Sequence, residues 1–507
     1  MKPVVVIGSG FGGLAAAVRL RAQGHAVVVL EANAQPGGRA SCELREVPGG
    51  VHSFDMGPTV ITAPYLLDEL FTLLGRDARD YFELLPVDPY YRVDFPDGSS
   101  FDYVGEEDRI LAQIEKMSPG DVDGYRRFAD QARAIFSVGY DRLVDEPFDS
   151  PWDMIKVVPD MMRLGSWRSV YGMASQYLRD ERLRQVFTFQ PLLVGGNPYA
   201  TSSIYLLIHW LERKWGVWFP RGGTTAIVQG LVRVLAEVGV EVRCNAAVAE
   251  IEVENGRAVG VRLENGERIA ASHVVSNGDP STTYARMIDA KHRRVHTDAA
   301  VRRKTPSMSL FVTYFGTRRT YSDIAHHTIV LGPRYKGLLD DIFRKKVLAD
   351  DFSLYLHRPT ATDPSLAPPG HESFYVLSPV PNDRSGLDWS QHAEAYEQKI
   401  LGALEDRYMP GLRDSLTTCF SVDPRYFAGK LRSWDGAAFG LEPLLTQSAY
   451  FRYHNRSEDV AGLYFVGAST HPGAGVPGVL NTAKVLMKVM PAPEAPLDVP
   501  APARKAG

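Results

Sequence analysis

The chain has 507 residues and a mass of 56.1 kDa, with 45% hydrophobic and 23% charged residues. This is an ordinary globular composition that excludes disordered, collagen-like and coiled-coil classes, and at about one domain per 100–200 residues it predicts three domains or two large ones. With 56 basic against 60 acidic side chains and a pI near 6.4, no global positive field is available to hold a polyanion, so nucleic acid is not an expected partner.

Only Met1, Lys2 and Pro3 precede the apolar run Val4–Ile7, which stops in glycines, and no secretory signal is read there. Val4–Ile7 suits a buried parallel strand, Gly8-Ser9-Gly10-Phe11-Gly12-Gly13 follows, and Leu14 to Gln23 is predicted as a helix. Gly24 is placed as its C-cap, Ala26–Leu30 as a second strand, and Glu31 stands at that strand's end, completing a βαβ unit. Each residue has a physical task in such a unit. Gly8 permits a tight turn, Gly10 lets backbone approach a pyrophosphate, and Gly13 lets helix and strand pack closely. The helix N-terminus adds positive dipole for the phosphates. Glu31 can accept hydrogen bonds from ribose hydroxyls, which favours FAD or NAD over NADP. Phe11, Gly12 and Ala32 flank these positions and are assigned to the same cofactor site.

Further along, Pro36-Gly37-Gly38-Arg39 and Phe54-Asp55-Met56-Gly57-Pro58-Thr59 follow the βαβ unit. Tyr91 to Val104, with its turn at Asp94-Phe95-Pro96-Asp97-Gly98, is predicted as two antiparallel strands. Between about 60 and 220 glycine motifs vanish, and five of the seven tryptophans (Trp152, Trp167, Trp210, Trp215 and Trp218) occur. They share the region with Met154, Met161, Met162 and Met173 and with Lys156, Arg163 and Arg168, the mixture of an amphipathic surface at a membrane interface. The charge-free stretch Gln185–Leu211 is broken by Pro191 and by Gly195-Gly196-Asn197-Pro198 and is not read as a transmembrane helix. Val240 to Ala270 is predicted as a three-stranded meander with turns at Asn255-Gly256 and Asn265-Gly266. His326-His327 and His357 show no metal-ligand spacing, and no metal site is expected. Cys42, Cys244 and Cys419 are far apart, without zinc spacing or a disulfide framework, which fits a reducing compartment. Gly462 to Gly467 is predicted as another buried strand, the turn Ala468 to Val479 follows, and a helix starts at Leu480. The tail from Pro491, with five prolines among alanines, is expected to be disordered over 491–507.

The order GxGxxG, Glu31, Gly37-Gly38-Arg39 resembles the flavin amine oxidase and carotenoid desaturase superfamily. The string Gly467-Ala468-Ser469-Thr470-His471-Pro472-Gly473-Ala474-Gly475-Val476-Pro477-Gly478-Val479 resembles the C-terminal signature of bacterial-type phytoene desaturases. Trp218 to Thr224, Val274-Val275-Ser276-Asn277, Leu366 to Gly370 and Phe439-Gly440-Leu441-Glu442-Pro443 occur in that family's order as well. The resemblance implies an FAD site in which Gly38 and Arg39 lie along pyrophosphate and flavin and Gly57, Pro58 and Thr59 approach the isoalloxazine. It also implies that Val248 serves the adenine end. Asn277, Gly467, Ala468, Gly475, Pro477, Gly478 and Val479 complete the set. Many family members carry Gly-Ala-Gly-Thr-His-Pro where this chain has Gly467-Ala468-Ser469-Thr470-His471-Pro472, a form also similar to diapophytoene desaturases, while Pro477-Gly478-Val479 matches the phytoene type better than hydroxycarotenoid desaturases or ketolases.

The implied architecture is α/β: a Rossmann-like FAD-binding domain with β-meander (1–65, 218–290 and 430–490), interleaved with an α+β substrate domain of mixed sheet plus helices (66–217 and 291–429). The implied activity is FAD-dependent desaturation of phytoene or a related polyene. A cytoplasmic, peripherally membrane-associated protein is expected to draw this hydrophobic substrate from a membrane surface. Oxygen or a quinone is the expected electron acceptor, since no second nucleotide fingerprint is present. A desaturase removes a hydride and a proton from neighbouring carbons, and the candidates near the flavin are His471 and Glu442. Two other classes share parts of the pattern: an amine oxidase, which often carries a covalent cysteine near the C-terminal turn, and a lipid-chaperoning protein of the GDP-dissociation-inhibitor type, which needs no flavin.

Overall fold

A computed structural model describes residues 2–501. In chain order it opens with β1 (Val4–Ile7), α1 (Phe11–Ala22) and β2 (Val27–Leu30), then the hairpin β3 (Tyr91–Asp94) and β4 (Ser100–Tyr103). Helices α2 (Val122–Gly139), α3 (Pro151–Leu164), α4 (Leu207–Trp215) and α5 (Thr225–Glu237) precede β5 (Glu241–Arg243), β6 (Val248–Glu254), β7 (Arg257–Leu263), β8 (Arg268–Ala270) and β9 (His273–Ser276). Five strands follow: β10 (Ser309–Thr317), β11 (His327–Val330), β12 (Leu354–His357), β13 (Glu372–Val380) and β14 (Leu416–Val422). The last elements that bear on the site are β15 (Leu463–Phe465) and α6 (Val476–Val489).

β1 lies at the centre of a five-stranded parallel sheet in the order β15-β9-β1-β2-β5, with Val5 opposite both Val274 and Val28. Successive side chains of a strand face opposite ways, and both faces of β1 are covered. Val4 and Val6 pack with α1 and α6, while Val5 and Ile7 pack with Ile251 and Val261 of the antiparallel meander β6-β7-β8. This is why four consecutive apolar β-branched residues stand at that point in the sequence. A second, mixed sheet runs β14-β10-β13-β12-β11-β3-β4, parallel only where β11 meets β3. Its apolar face and α2 enclose the largest core.

Four sequence expectations are corrected. α1 starts at Phe11, three residues before Leu14, because the glycine turn itself enters the helix. Val240–Arg243 leaves the meander: Glu241–Arg243 hydrogen-bonds to β2 at the edge of the parallel sheet, and three other strands form the meander. α6 starts at Val476 and not Leu480, with Pro477 in its first turn, where a missing N–H costs nothing. The tail is ordered over 491–501. The Leu497 N–H donates to the Gly24 carbonyl at 2.8 Å, Arg21 Nη1 donates to the Leu497 carbonyl at 3.1 Å, and Val499 packs on the α1 core. Prolines did not prevent docking because the C-terminus of α1 offers free carbonyls and a buried arginine to meet them. The expectation for 502–507 lies outside the described residues.

Candidate cofactor and substrate cavity

Two helices end on one cavity without side-chain caps. α1 has Gly10 as N-cap and α6 has Gly475, and neither first turn carries an acidic residue. The free N–H groups of both helices therefore present partial positive charge to whatever occupies the space between them. The glycines bring the two turns together. A Cβ at Gly12 would stand 2.5 Å from Asn277 Oδ1 and 3.2 Å from the Gly467 Cα, so Asn277 is wedged between the first and last loops. Gly13 packs its Cα against the Gly8 carbonyl, and a Cβ there would lie 2.0 Å from that oxygen.

The cavity has a volume of about 560 Å³, within the range of small-molecule sites. Gly8, Gly10, Phe11 and Gly12 line it, as do Glu31, Ala32, Gly38, Arg39, Gly57, Pro58 and Thr59. Val248 and Asn277 border it, together with Gly467, Ala468, Gly475, Pro477, Gly478 and Val479. Gly13 is not on the wall; it sits behind it, holding α1 to β1. Glu31 is buried, with Oε2 accepting from the Ser9 N–H and hydroxyl at 2.9 and 2.6 Å and Oε1 accepting from the Asn33 N–H and amide, both at 2.9 Å. Arg39 donates to the Ala438 carbonyl at 2.7 Å and to Ser433 Oγ at 2.8 Å, and burial lowers its pKa against the opposing pull of Asp279 and Tyr426.

Beyond Thr59 the same cavity continues into an apolar chamber. Its walls are Met154, Val157, Met161 and Leu164 on α3, Leu207 and Leu211 on α4, and Leu310, Val312, Leu354 and Leu377 on the mixed sheet. α3 is apolar on its other side too. Trp152, Ile155, Val158 and Met162 are 69%, 54%, 44% and 60% exposed, and Trp167 just after it is 52% exposed. A single helix thus separates the chamber from the outside with hydrophobic side chains on both faces. The other three tryptophans of this region, Trp210, Trp215 and Trp218, are half-buried. No helix among the described residues is long and apolar enough to cross a membrane.

The two catalytic candidates separate. His471 lines the chamber, its Nε2 3.2 Å from the Leu143 carbonyl and its ring against Phe148 at 4.8 Å, with Nδ1 buried and unpartnered. Burial lowers its pKa to about 4, so the ring is neutral. Glu442 is not on the cavity wall. It is buried beside Lys346, and burial raises its carboxyl to about 7. Proximity in sequence to the C-terminal turn did not carry into space, because the chain from 440 to 442 bonds back to Thr305 and Ser307.

Two features escaped the sequence. Glu212 of α4 lines the chamber 1% exposed, accepts from the Tyr91 hydroxyl at 2.7 Å, and burial pushes its pKa to about 8. Only the pattern of α4, which turns a glutamate toward Leu211's side of the helix, could have signalled it. The expectation that His326, His327 and His357 lack partners is also corrected: nitrogens from all three buried rings lie within 4.8 Å of one another. His327 and His357 are directly opposed on neighbouring strands, a pairing that chain spacing does not display. None of the three cysteines lines the cavity.

Fold and site together define an oxidoreductase built around a dinucleotide cofactor. A profile of flavin containing amine oxidoreductases matches residues 11–484. Among solved structures, an oxidoreductase from Methanosarcina mazei superposes with a TM-score of 0.64 at 19% identity, covering 96% of this chain and 100% of that one. A putrescine oxidase gives 0.62 at 16% identity over 95% and 97%. These distant likenesses concern the fold. In sequence, a phytoene desaturase (lycopene-forming) of Pseudescherichia vulneris is 50% identical over 491 residues, 97% of this chain and 99% of that protein. A phytoene desaturase (neurosporene-forming) of Rhodobacter capsulatus is 45% identical over 97% and 94%. The chain belongs to the flavin-containing amine oxidoreductase family, in its phytoene desaturase branch. Its cofactor is FAD, and the two uncapped helix N-termini and the glycine cradle fit a dinucleotide's pyrophosphate without a Cβ in the way.

Proposed function

We propose that the protein is an FAD-dependent carotenoid desaturase that introduces double bonds into phytoene. The observation that carries this reading is the continuity of one cavity from the glycine cradle into an apolar chamber. When bound there, FAD supplies a hydride acceptor beside the chamber. The N-termini of α1 and α6, uncapped by side chains, would hold the pyrophosphate and the flavin end. A ribose diol would meet Glu31 by exchanging with the side-chain donors of Ser9 and Asn33. Thr59, at the junction of cradle and chamber, marks where substrate meets flavin. The chamber walls exclude water and hold a polyene in line, which lowers the entropic part of the barrier. His471, neutral and on the chamber wall, is the residue we assign to take the proton; Glu442 does not reach the cavity and does not take that role. Residues 1–65, 218–290 and 430–490 supply the flavin-binding domain, a division supported by the origin of the parallel strands and the meander.

The outward apolar face of α3 supports peripheral docking on a membrane from which the substrate is drawn. Reoxidation by oxygen or a membrane quinone fits that location. Incubating the FAD-loaded protein with phytoene in liposomes and analysing pigments tests the reading: coloured, more unsaturated products are expected, with lycopene and neurosporene resolved by their spectra. Recovery of phytoene alone in the presence of an acceptor would refute it.

A further inference from the structure

The buried histidines next to the chamber carry chemistry that desaturation does not use. His326 immediately precedes β11, His327 opens it, and His357 closes the antiparallel neighbour β12. Their exposures are 4%, 0% and 1%. His326 Nε2 and His357 Nε2 stand 3.1 Å apart. Two imidazole ligands on one tetrahedral cation, with metal–nitrogen bonds of about 2.0–2.1 Å, are separated by roughly 3.3 Å. The other ring nitrogens face hydroxyls: His326 Nδ1 lies 2.6 Å from Thr362 Oγ1, and His327 Nδ1 lies 2.7 Å from the Tyr355 hydroxyl. Such outward hydrogen bonds fix the orientation of ligating imidazoles. His327 Nε2 is buried with no partner, a costly state for a polar atom; His357 Nδ1 is also unpartnered and lies outside the ligand set.

We propose that His326, His327 and His357 form a buried three-imidazole metal site that binds a borderline divalent cation, zinc foremost. The ligand set decides the class of cation: three neutral nitrogen donors suit zinc and not magnesium or calcium, which require oxygen. His326 Nε2 and His357 Nε2 supply two ligands, replacing the single hydrogen they share without metal. One ring nitrogen from each of the three histidines lies within 4.8 Å of the others; the orphaned Nε2 of His327 would supply the third ligand, and a solvent molecule would complete the tetrahedron. The nearest cationic side chain, Arg358, is already neutralised by Glu372 at 2.7 Å. Through the Tyr355 hydroxyl, which also lies 3.2 Å from Thr59 Oγ1, the metal would fix one wall of the cavity where cradle and chamber join. Its role is positioning.

The test uses the full-length, FAD-loaded protein. After growth with zinc and dialysis against a chelating resin, elemental analysis should find about one zinc per chain. Replacing zinc with cobalt(II) should give tetrahedral absorption at longer wavelength than the flavin bands. The double variant His326→Gln/His357→Gln should lose at least ~10-fold in bound metal, while His392→Gln, on an exposed helical position, should retain it. Should the double variant fail to fold, the wild-type metal content and cobalt spectrum decide alone. A wild-type protein that neither keeps zinc nor develops the cobalt spectrum would overturn the site, as would equal metal content in the folded double variant; the trio would then be a neutral hydrogen-bonded cluster.

Discussion

Substituting Gly13 by alanine tests the join between the nucleotide turn and its sheet. The new Cβ would lie 2.0 Å from the Gly8 carbonyl oxygen and 3.2 Å from Asn277 Cβ. The first contact is about 1 Å shorter than the tightest that real Cβ atoms make, and it is with backbone, so no rotamer change relieves it. α1 must move away from the end of β1 by about that amount. Overpacking of this kind costs about 3 kcal/mol where relaxation is blocked, or roughly 6 °C in melting temperature at ~2 °C per kcal/mol for a large domain. The same movement carries Gly10 and the free N–H groups of α1 off the pyrophosphate. The assay is the flavin-to-protein absorbance ratio after purification, with a melting curve. Gly13→Ala should be flavin-depleted and less stable. The control is Gly429→Ala, whose Cβ meets nothing within 4 Å and which sits at the end of a short helix, so it should be neutral or up to about 1 kcal/mol more stable. A Gly13→Ala protein with full flavin content and an unchanged melting curve would refute the argument that close packing at this glycine builds the site.

Glu212→Gln should flatten part of the pH dependence of stability. The folded pKa of about 8 lies above the ordinary 4.5, so the folded state holds the extra proton between these values and Glu212's contribution is lost as pH rises through that window; melting curves from pH 5 to about 8.5 compared with wild type would show it. Glu212→Ala should cost about 1–3 kcal/mol by leaving the buried Tyr91 hydroxyl without its acceptor. Trp152→Asp combined with Met162→Asp should abolish flotation with liposomes while flavin content is retained; co-flotation at the wild-type level would remove α3 as the docking face. His471→Ala should lower turnover with flavin still bound, and loss of flavin would make the residue structural. Ending the chain after Met490 should lower the melting temperature, since it removes the Leu497–Gly24 hydrogen bond and the contacts to Arg21.

The cofactor half of this site was legible because it is made locally. Gly8 to Glu31 is one continuous βαβ unit whose spacing reports its geometry, and the turn Gly467 to Val479 ends on a helix in the same way. What stayed hidden is made by pairing across the fold. Glu212 matters because α4 packs on Tyr91, and the three histidines meet because β11 and β12 are neighbours. Glu442 shows the converse, a residue close to the site in sequence that the chain turns away. The tail erred for another reason: composition describes a segment alone, whereas Leu497 and Val499 are ordered by the surface of α1.

In the proposed function, one cavity brings FAD and a polyene into contact. Anaerobic mixing of the FAD-loaded protein with phytoene in liposomes tests it most directly, by flavin absorbance and pigment analysis in the same sample. Bleaching of the oxidised flavin is expected, with one new double bond formed per flavin reduced. Flavin that stays oxidised while phytoene is recovered unchanged, in protein shown to float with the liposomes, would contradict it.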